Sequence, residues 1–480
     1  SPIRRELYVG DETKYTQVVR EMRAGNVFVP TLEGSPFTHK PPLHFWIVDA
    51  LTYPLGVYSI WPFVLPSLLS FLALLWLMKK FGGWAAAFVC ATSLLIWGSS
   101  QTARMDVPFT LLLAAAAYRI WRADGALPFS AGVATGVAAL VKGPMAPVIT
   151  LALFAFESIR GKRRPRARDF LALLPMLVIP LLWLVPALLI GGEAFWNEIF
   201  FKQTVGRAVG AWVHKSPPWF YVMRAPLTLM PWFFLAVAAI VAAYKRRDEQ
   251  AKFAVSWILS VLVPYTLLSS KLDVYMITMI PAVALVIARY LETEGDDAWG
   301  RRGNLVMLGV FALVGAVGLV VQPEHIKEED GALIARIDVR LLFAILLTAS
   351  IAAIVVTLRG RLASSTLATG LVLPLTLGYA AAVLVPIANE LASTRPLVRA
   401  LVRQNVPPSD VGLYVAPHLW TRDMPPPLWA ARHLERDEVG TTPLVVVRRK
   451  NAHEVEPALR GYRKVDELRM IGKWFDVYRR

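Results

Sequence analysis

The chain has 480 residues, of which 56% are hydrophobic and only 18% charged, with a mean hydropathy of +0.48 and a formal net charge of +16. That balance excludes a soluble multidomain protein and fits an α-helical polytopic membrane protein. Lys and Arg cluster in short runs between apolar segments, as in RGKRRPRAR over 160–168, which is the positive-inside pattern and sets nucleic acid aside as a partner. The single cysteine, Cys90, excludes an intrachain disulfide and a cysteine-built metal site.

The chain opens at Ser1-Pro2-Ile3-Arg4-Arg5, without an apolar segment, and a further membrane helix ahead of it is expected. The stretch over 8–46 is charged, aromatic and punctuated by proline, although the chain beyond it is almost continuous hydrocarbon. Tyr15, Val18, Val19 and Met22 stand at i, i+3, i+4 and i+7 after Asp11, and Gly25-Asn26 closes the run. This spacing predicts a short amphipathic helix with Asp11 and Glu12 at its N-terminus and one face able to lie on the membrane. Lys40-Pro41-Pro42 introduces a second juxtamembrane segment over 44–58, rich in interfacial aromatics.

Twelve apolar spans come next, at about 61–80, 83–102, 106–122, 128–142, 145–159, 170–191, 226–244, 253–270, 273–291, 304–321, 340–358 and 366–388. The two flanking Lys142-Gly143-Pro144 are short, and read either as two crossings or as one kinked helix. Two crossings put the basic loops at 79–80, 160–168, 245–252, 289–302 and 359–361 on one side, which is then cytoplasmic; one merged helix does not. With two crossings, the opening stretch, 104–106, Lys142, 191–224, 269–273 and the C-terminus all share the outer side. After Asn389 the composition becomes that of a soluble domain, with strand-like runs at 411–415, 443–447 and 474–478 between helix-compatible stretches. The division read from sequence is a transmembrane domain over 1–390 and a small periplasmic α/β domain over 391–480.

Three sets of residues could carry chemistry. Asp11, Glu12 and Asp106 each stand at a helix start, where an acid is favourable against the helix dipole with no further role. Their coincidence at membrane boundaries on one side makes them catalytic candidates, because ionisable groups there usually face a cavity. Lys40, Lys142 and Lys271 could each snorkel to head groups. Together they could clamp the phosphate of a lipid-linked donor, with Arg104 or Arg207 adding bidentate contacts. His39 and His214 are candidate metal ligands for a divalent ion such as zinc or magnesium, although a lone histidine is more often structural and a third ligand is needed.

The segments GDETKYTQVVREM, HKPPLHFW, ARMDVPFT, LVKGP, HKSPPWFY and SSKLDVYMITMIPA occur in that order. In this combination the chain resembles the transferases that add aminoarabinose to lipid A, and more broadly the GT-C glycosyltransferases related to protein O-mannosyltransferases. The likeness runs from about residue 9 to 290. It implies a GT-C type fold with a small C-terminal extramembrane domain, and an outer-face site that takes a sugar from an undecaprenyl-phosphate-type carrier. It also implies that Asp11 matches the essential first-loop acid and Asp106 the second acid. Lys40 and Lys142 match basic residues near the donor phosphate, and His214 a loop histidine associated with a metal. The sequence departs at His39, where the lipid A enzymes typically carry Glu before the lysine.

A phosphate leaves as a stable anion once cations neutralise it, so the remaining burden is the acceptor. For a hydroxyl acceptor Asp11 is the expected general base; for a phosphate acceptor it orients the acceptor or stabilises charge at the anomeric carbon. A single displacement inverts the anomeric centre. The expected partners are a polyprenyl-phosphate-sugar donor, lipid A or another envelope acceptor, and membrane lipids. A protein O-mannosyltransferase-like enzyme is the nearest alternative, and a catalytically inactive relative binding partners through its C-terminal domain is a third. A lipid or solute transporter is the alternative from another class, against which the spans carry few central ionisable residues and no internal repeat.

Overall fold

The computed structural model describes residues 5–199, 216–246, 248–321, 339–419, 431–470 and 472–480. The first helix, α1 (Asp11–Ala24), begins directly at Asp11 with Gly10 in the N-cap position, so Asp11 and Glu12 act on the helix dipole and not as side-chain caps. Its apolar stripe of Tyr15, Val18, Val19 and Met22 is buried, as the spacing predicts. The stripe faces protein and not the membrane surface, a correction to the reading from spacing. A tight hairpin, β1 (Thr31–Leu32) and β2 (Ser35–Pro36), reverses the chain so that α2 (Leu43–Leu55) packs on α1, with the Tyr15 and Phe45 rings edge to face at 5.3 Å.

The bundle then runs through α3 (Trp61–Thr92), α4 (Leu94–Ser100), α5 (Asp106–Arg122), α6 (Phe129–Lys142), α7 (Met145–Arg160), α8 (Ala167–Phe170) and α9 (Leu173–Asn197). It continues as α10 (Phe220–Thr228), α11 (Phe233–Lys245), α12 (Glu249–Leu267), a 3-10 segment (Asp273–Met279) leading into α13 (Ile280–Glu294), α14 (Ala298–Val320), α15 (Val339–Arg359) and α16 (Leu362–Val383). Among the described residues six helices are long and apolar enough to cross a membrane, or seven if the bent pair α10 and α11 is one span. This is a polytopic membrane protein.

The twelve apolar spans all fall on helices, but not as twelve helices of crossing length. The first two share α3, which breaks at Gly82 and at Gly83 (φ +70°), and the second ends at Thr92 before resuming as α4. The span over 226–244 is split between α10 and α11, which meet at 114°. The helices α5, α6 and α7 have 17, 14 and 16 residues, fewer than the roughly 20 that a bilayer core requires of an isolated helix. Neighbouring helices cover much of them.

Whether Lys142-Gly143-Pro144 separates two helices or kinks one is answered by a side-chain contact. Thr135 and Thr150 bring their hydroxyls to 2.9 Å, whereas one straight helix would hold residues fifteen apart by about 22 Å. The chain turns back at Gly143 (φ +109°), and α6 and α7 form an antiparallel hairpin.

Ion pairs gather the basic loops at one end of the bundle. Arg160 pairs with Glu249, Gln250 donates to the Phe81 carbonyl, Arg289 pairs with Asp248 at 2.6 Å and Arg246 with Glu294 at 2.5 Å. Arg301 reaches Asp296 at 3.5 Å and the Gly360 carbonyl at 3.2 Å. The charge asymmetry read from the sequence therefore corresponds to one physical face. Asp106 lies at the other end, because the 17 residues of α5 carry it about 25 Å from Arg122.

The chain after the bundle continues through α17 (Val385–Ala392) and α18 (Arg395–Arg403) into a five-stranded sheet. Its strands are β3 (Val411–Tyr414), β4 (Arg432–His433), β5 (Leu444–Arg448), β6 (Arg463–Met470) and β7 (Lys473–Arg479), in the order β4-β3-β5-β7-β6. The pairs β3–β4 and β3–β5 are parallel; β5–β7 and β6–β7 are antiparallel. Alternation along β5 sends Leu444 and Val446 to the face covered by Leu397, Val398 and Leu401 of α18. Val445 and Val447 go to a second core with Tyr414 and Val455. The three expected strands are present, whereas β6 occupies a stretch taken as helix-compatible. Its charged side chains belong to an edge strand, where Lys464 pairs across to Asp476 at 2.8 Å.

Candidate functional site

At the end away from the basic loops, the loop between α4 and α5 meets the first turn of α1 and the last residue of α6. Asp106, the first residue of α5, is buried, with Oδ1 at 2.5 Å from Lys142 Nζ and Oδ2 at 3.0 Å from Arg104 Nε. Nη2 of the same guanidinium lies 3.2 Å from Asp11 Oδ2. The four groups form one alternating chain, Lys142–Asp106–Arg104–Asp11, leading from the interior towards the surface. Exposure rises along it: the side chains of Asp106 and Lys142 are 3% and 9% exposed, those of Arg104 and Asp11 32% and 42%.

This gradient separates the two acids. Both oxygens of Asp106 are held by cations, so it anchors Arg104 and Lys142 and has no oxygen free to meet a substrate. Asp11 touches one cation and opens to the exterior, and it is the carboxylate that can meet an incoming group. Around them, the Ser67 hydroxyl donates to the Arg104 carbonyl at 2.5 Å. The rings of Phe109 and Tyr275 lie 5.4 and 5.0 Å from the Lys142 ammonium. Burial, with the Asp11 and Asp106 charges adding to it, holds the Tyr15 hydroxyl well above the usual phenol range. Burial also lowers His44 to about 4, so that imidazole is neutral.

Glu12, read from sequence as catalytic beside Asp11, has a different place. Its carboxylate accepts from Arg5 Nη1 at 2.7 Å, Arg5 Nη2 at 2.5 Å, the Tyr8 amide at 2.9 Å and the Ala103 amide at 2.6 Å. With four donors on two oxygens it is saturated, and through Ala103 it fixes the loop that carries Arg104. It is a positioning residue.

Lys271 also departs from expectation. Its buried ammonium donates to the carbonyls of Leu268 and Ser216, so it closes the C-terminal end of α12 in place of holding a phosphate. Lys40 is half-buried just before α2, and His39 is exposed with its ring edge on Phe37 at 5.2 Å. Arg207 and His214 lie outside the described residues, so the pairing of His39 with His214 around an ion rests on the sequence alone. Sequence reasoning also missed the bidentate Arg224–Asp273 pair, at 2.7 and 2.5 Å, which flanks the same 3-10 segment as Tyr275.

No protein-family model matches the chain. An undecaprenyl phosphate-alpha-4-amino-4-deoxy-L-arabinose arabinosyl transferase 2 of Sodalis glossinidius is 26% identical over 341 residues, covering 66% of this chain and 62% of the relative. The corresponding transferase of Serratia proteamaculans is 27% identical over 346 residues, covering 66% and 61%. The crystal structure of ArnT from Cupriavidus metallidurans bound to undecaprenyl phosphate superposes with a TM-score of 0.73 at 18% identity, over 98% of this chain and 94% of that one. Over about two thirds of its length the chain is thus similar to aminoarabinose transferases, and it shares the fold of the solved one. It spans little more than three-fifths of the length of the curated transferases it matches, 62% of the first. At 18% identity the solved neighbour shows the shared fold, and Asp11 and Asp106 are where this chain carries its charged array.

Proposed function

We propose that this chain is an inverting glycosyltransferase that moves a sugar from a polyprenyl-phosphate carrier to lipid A or another envelope acceptor. The observation that carries the reading is the Asp11–Arg104–Asp106–Lys142 array at the end of the bundle opposite the basic loops. By the positive-inside rule that end faces outward from the inner membrane, with the region over 391–480 beside it as a periplasmic domain. The relatives are named for an undecaprenyl-phosphate-linked 4-amino-4-deoxy-L-arabinose donor, which supports the same class of donor here.

In this mechanism Arg104, partly exposed, faces the departing phosphate, and Lys40 is the second cation. Lys142, locked to Asp106, holds the array in place and contributes positive potential. Asp11 accepts the proton of a hydroxyl acceptor, or aligns a phosphate acceptor that is already ionised. One carboxylate open to substrate, with the second fully paired, suits a single displacement with inversion.

The test is mass spectrometry of lipid A and of envelope glycoproteins from cells producing the chain or its Asp11→Asn form, at equal membrane insertion. A sugar-sized increment on lipid A that disappears in the variant supports the reading. An increment confined to proteins moves the acceptor assignment to protein, and identical spectra for the two forms refute catalysis by Asp11.

A further inference from the structure

We propose that Glu33, His418 and His433 form a zinc site that fastens the C-terminal sheet to the juxtamembrane hairpin. The three come from opposite ends of the chain: Glu33 from the β1–β2 turn, His418 from the segment after β3, and His433 from edge strand β4. Glu33 Oε1 lies 3.4 Å from His418 Nε2 and 3.2 Å from His433 Nδ1, and the candidate ligand atoms all fall within 4.8 Å of one another. Zinc bonds of about 2.0–2.1 Å in a tetrahedron place neighbouring ligand atoms roughly 3.4 Å apart, so an ion fits with small side-chain rotations and a water as fourth ligand.

Two further features set this cluster apart from a chance meeting of polar groups. Glu33 has φ +59°, a left-handed conformation unusual for glutamate, in a two-residue turn whose other member is Gly34 at φ +77°. The turn is held in that shape by Glu21, which accepts from the Glu33 amide at 2.8 Å, the Gly34 amide at 3.1 Å and the Thr31 hydroxyl at 2.8 Å. The hairpin turn and its brace hold the Glu33 carboxylate against the two imidazoles. The His433 ring also has a buried Nε2 with no hydrogen-bond partner among the described residues, so no second hydrogen bond ties that ring to its present rotamer.

The donor set chooses the metal. Two imidazoles and one carboxylate suit zinc and not magnesium, which takes oxygen ligands. An ion here links residue 33 to residues 418 and 433 and so restrains the loop that leads to Lys40. The site is separate from His39 and His214 and takes no part in the proposed transfer.

The experiment uses the full chain with a non-histidine tag in detergent, carrying His39→Ala and His214→Ala to remove the other candidate ligands. After loading with zinc chloride and gel filtration, elemental mass spectrometry is expected to find about one zinc per chain, falling at least tenfold when Glu33→Gln or His433→Ala is added. Zinc should raise the thermal midpoint of the parent and leave that of the variants unmoved. The shape-conserving Glu33→Gln, with unchanged elution and an unchanged midpoint in chelator, guards against loss of folding. A parent that retains no zinc, or variants that retain as much as the parent, would overturn the proposal.

Discussion

Two adjacent acids, Asp11 and Glu12, begin the same helix, and the structure predicts opposite consequences for removing them. In Glu12→Ala the Arg5 guanidinium, 7% exposed, loses both of its contacts to Glu12, and the amides of Tyr8 and Ala103 lose their acceptor. Breaking a buried ion pair from one side costs about 3–5 kcal/mol, to which two orphaned amides add. Asp11 is 42% exposed and makes one ion pair at 3.2 Å, so Asp11→Asn should change stability by no more than about 1 kcal/mol. Its cost should fall on transfer, about 10²- to 10⁴-fold if it is the general base. The assay pairs thermal unfolding of both purified variants with transfer to the acceptor at saturating donor. Glu12→Ala should melt several degrees lower, while Asp11→Asn melts with the parent and is inactive. If Glu12→Ala melts with the parent, or Asp11→Asn retains more than about a tenth of the activity, the division of labour drawn from the structure is wrong.

Lys142→Met should destabilise by about 3–5 kcal/mol, because it strips one of two cations from a buried carboxylate. Adding Asp106→Asn should recover part of that loss, and a double-mutant cycle in thermal melts measures the coupling. Gly132 and Gly136 lie one turn apart on α6, where an added methyl would stand 2.2 Å from the Ala172 carbonyl oxygen and 2.4 Å from that of Pro175. Alanine at either should therefore cost about 1–3 kcal/mol and lower the melting temperature, since backbones approach here as in membrane helix pairs. Lys271→Met should lower stability by about 1–3 kcal/mol through the uncapped carbonyls, with the KM for donor unchanged. A raised KM at unchanged stability would return Lys271 to the phosphate site.

Much of the fold was legible because the solvent enforces it. Hydrocarbon spans, the asymmetry of basic loops and the change of composition after Asn389 are local properties of the chain, and each corresponds to a helix, an end of the bundle or a sheet. The candidate residues Asp11, Arg104, Asp106 and Lys142 were legible for a related reason: charges are rare beside such spans, so those present stand out. What a charge does there depends on partners that sequence spacing cannot supply. Glu12 and Asp11 are neighbours with the same chemistry, yet one is saturated by Arg5, Tyr8 and Ala103 and the other opens outward. Lys271 and Lys142 read alike, but one meets backbone carbonyls and the other a carboxylate. Only the folding of the hairpin back onto α1 shows that the α1 stripe faces protein, and only the meeting of residue 33 with residues 418 and 433 gathers two histidines around a glutamate. The sequence by itself determined where the chain must be apolar and where charge must gather; the tertiary structure decided which charges are spent on one another and which remain for a ligand.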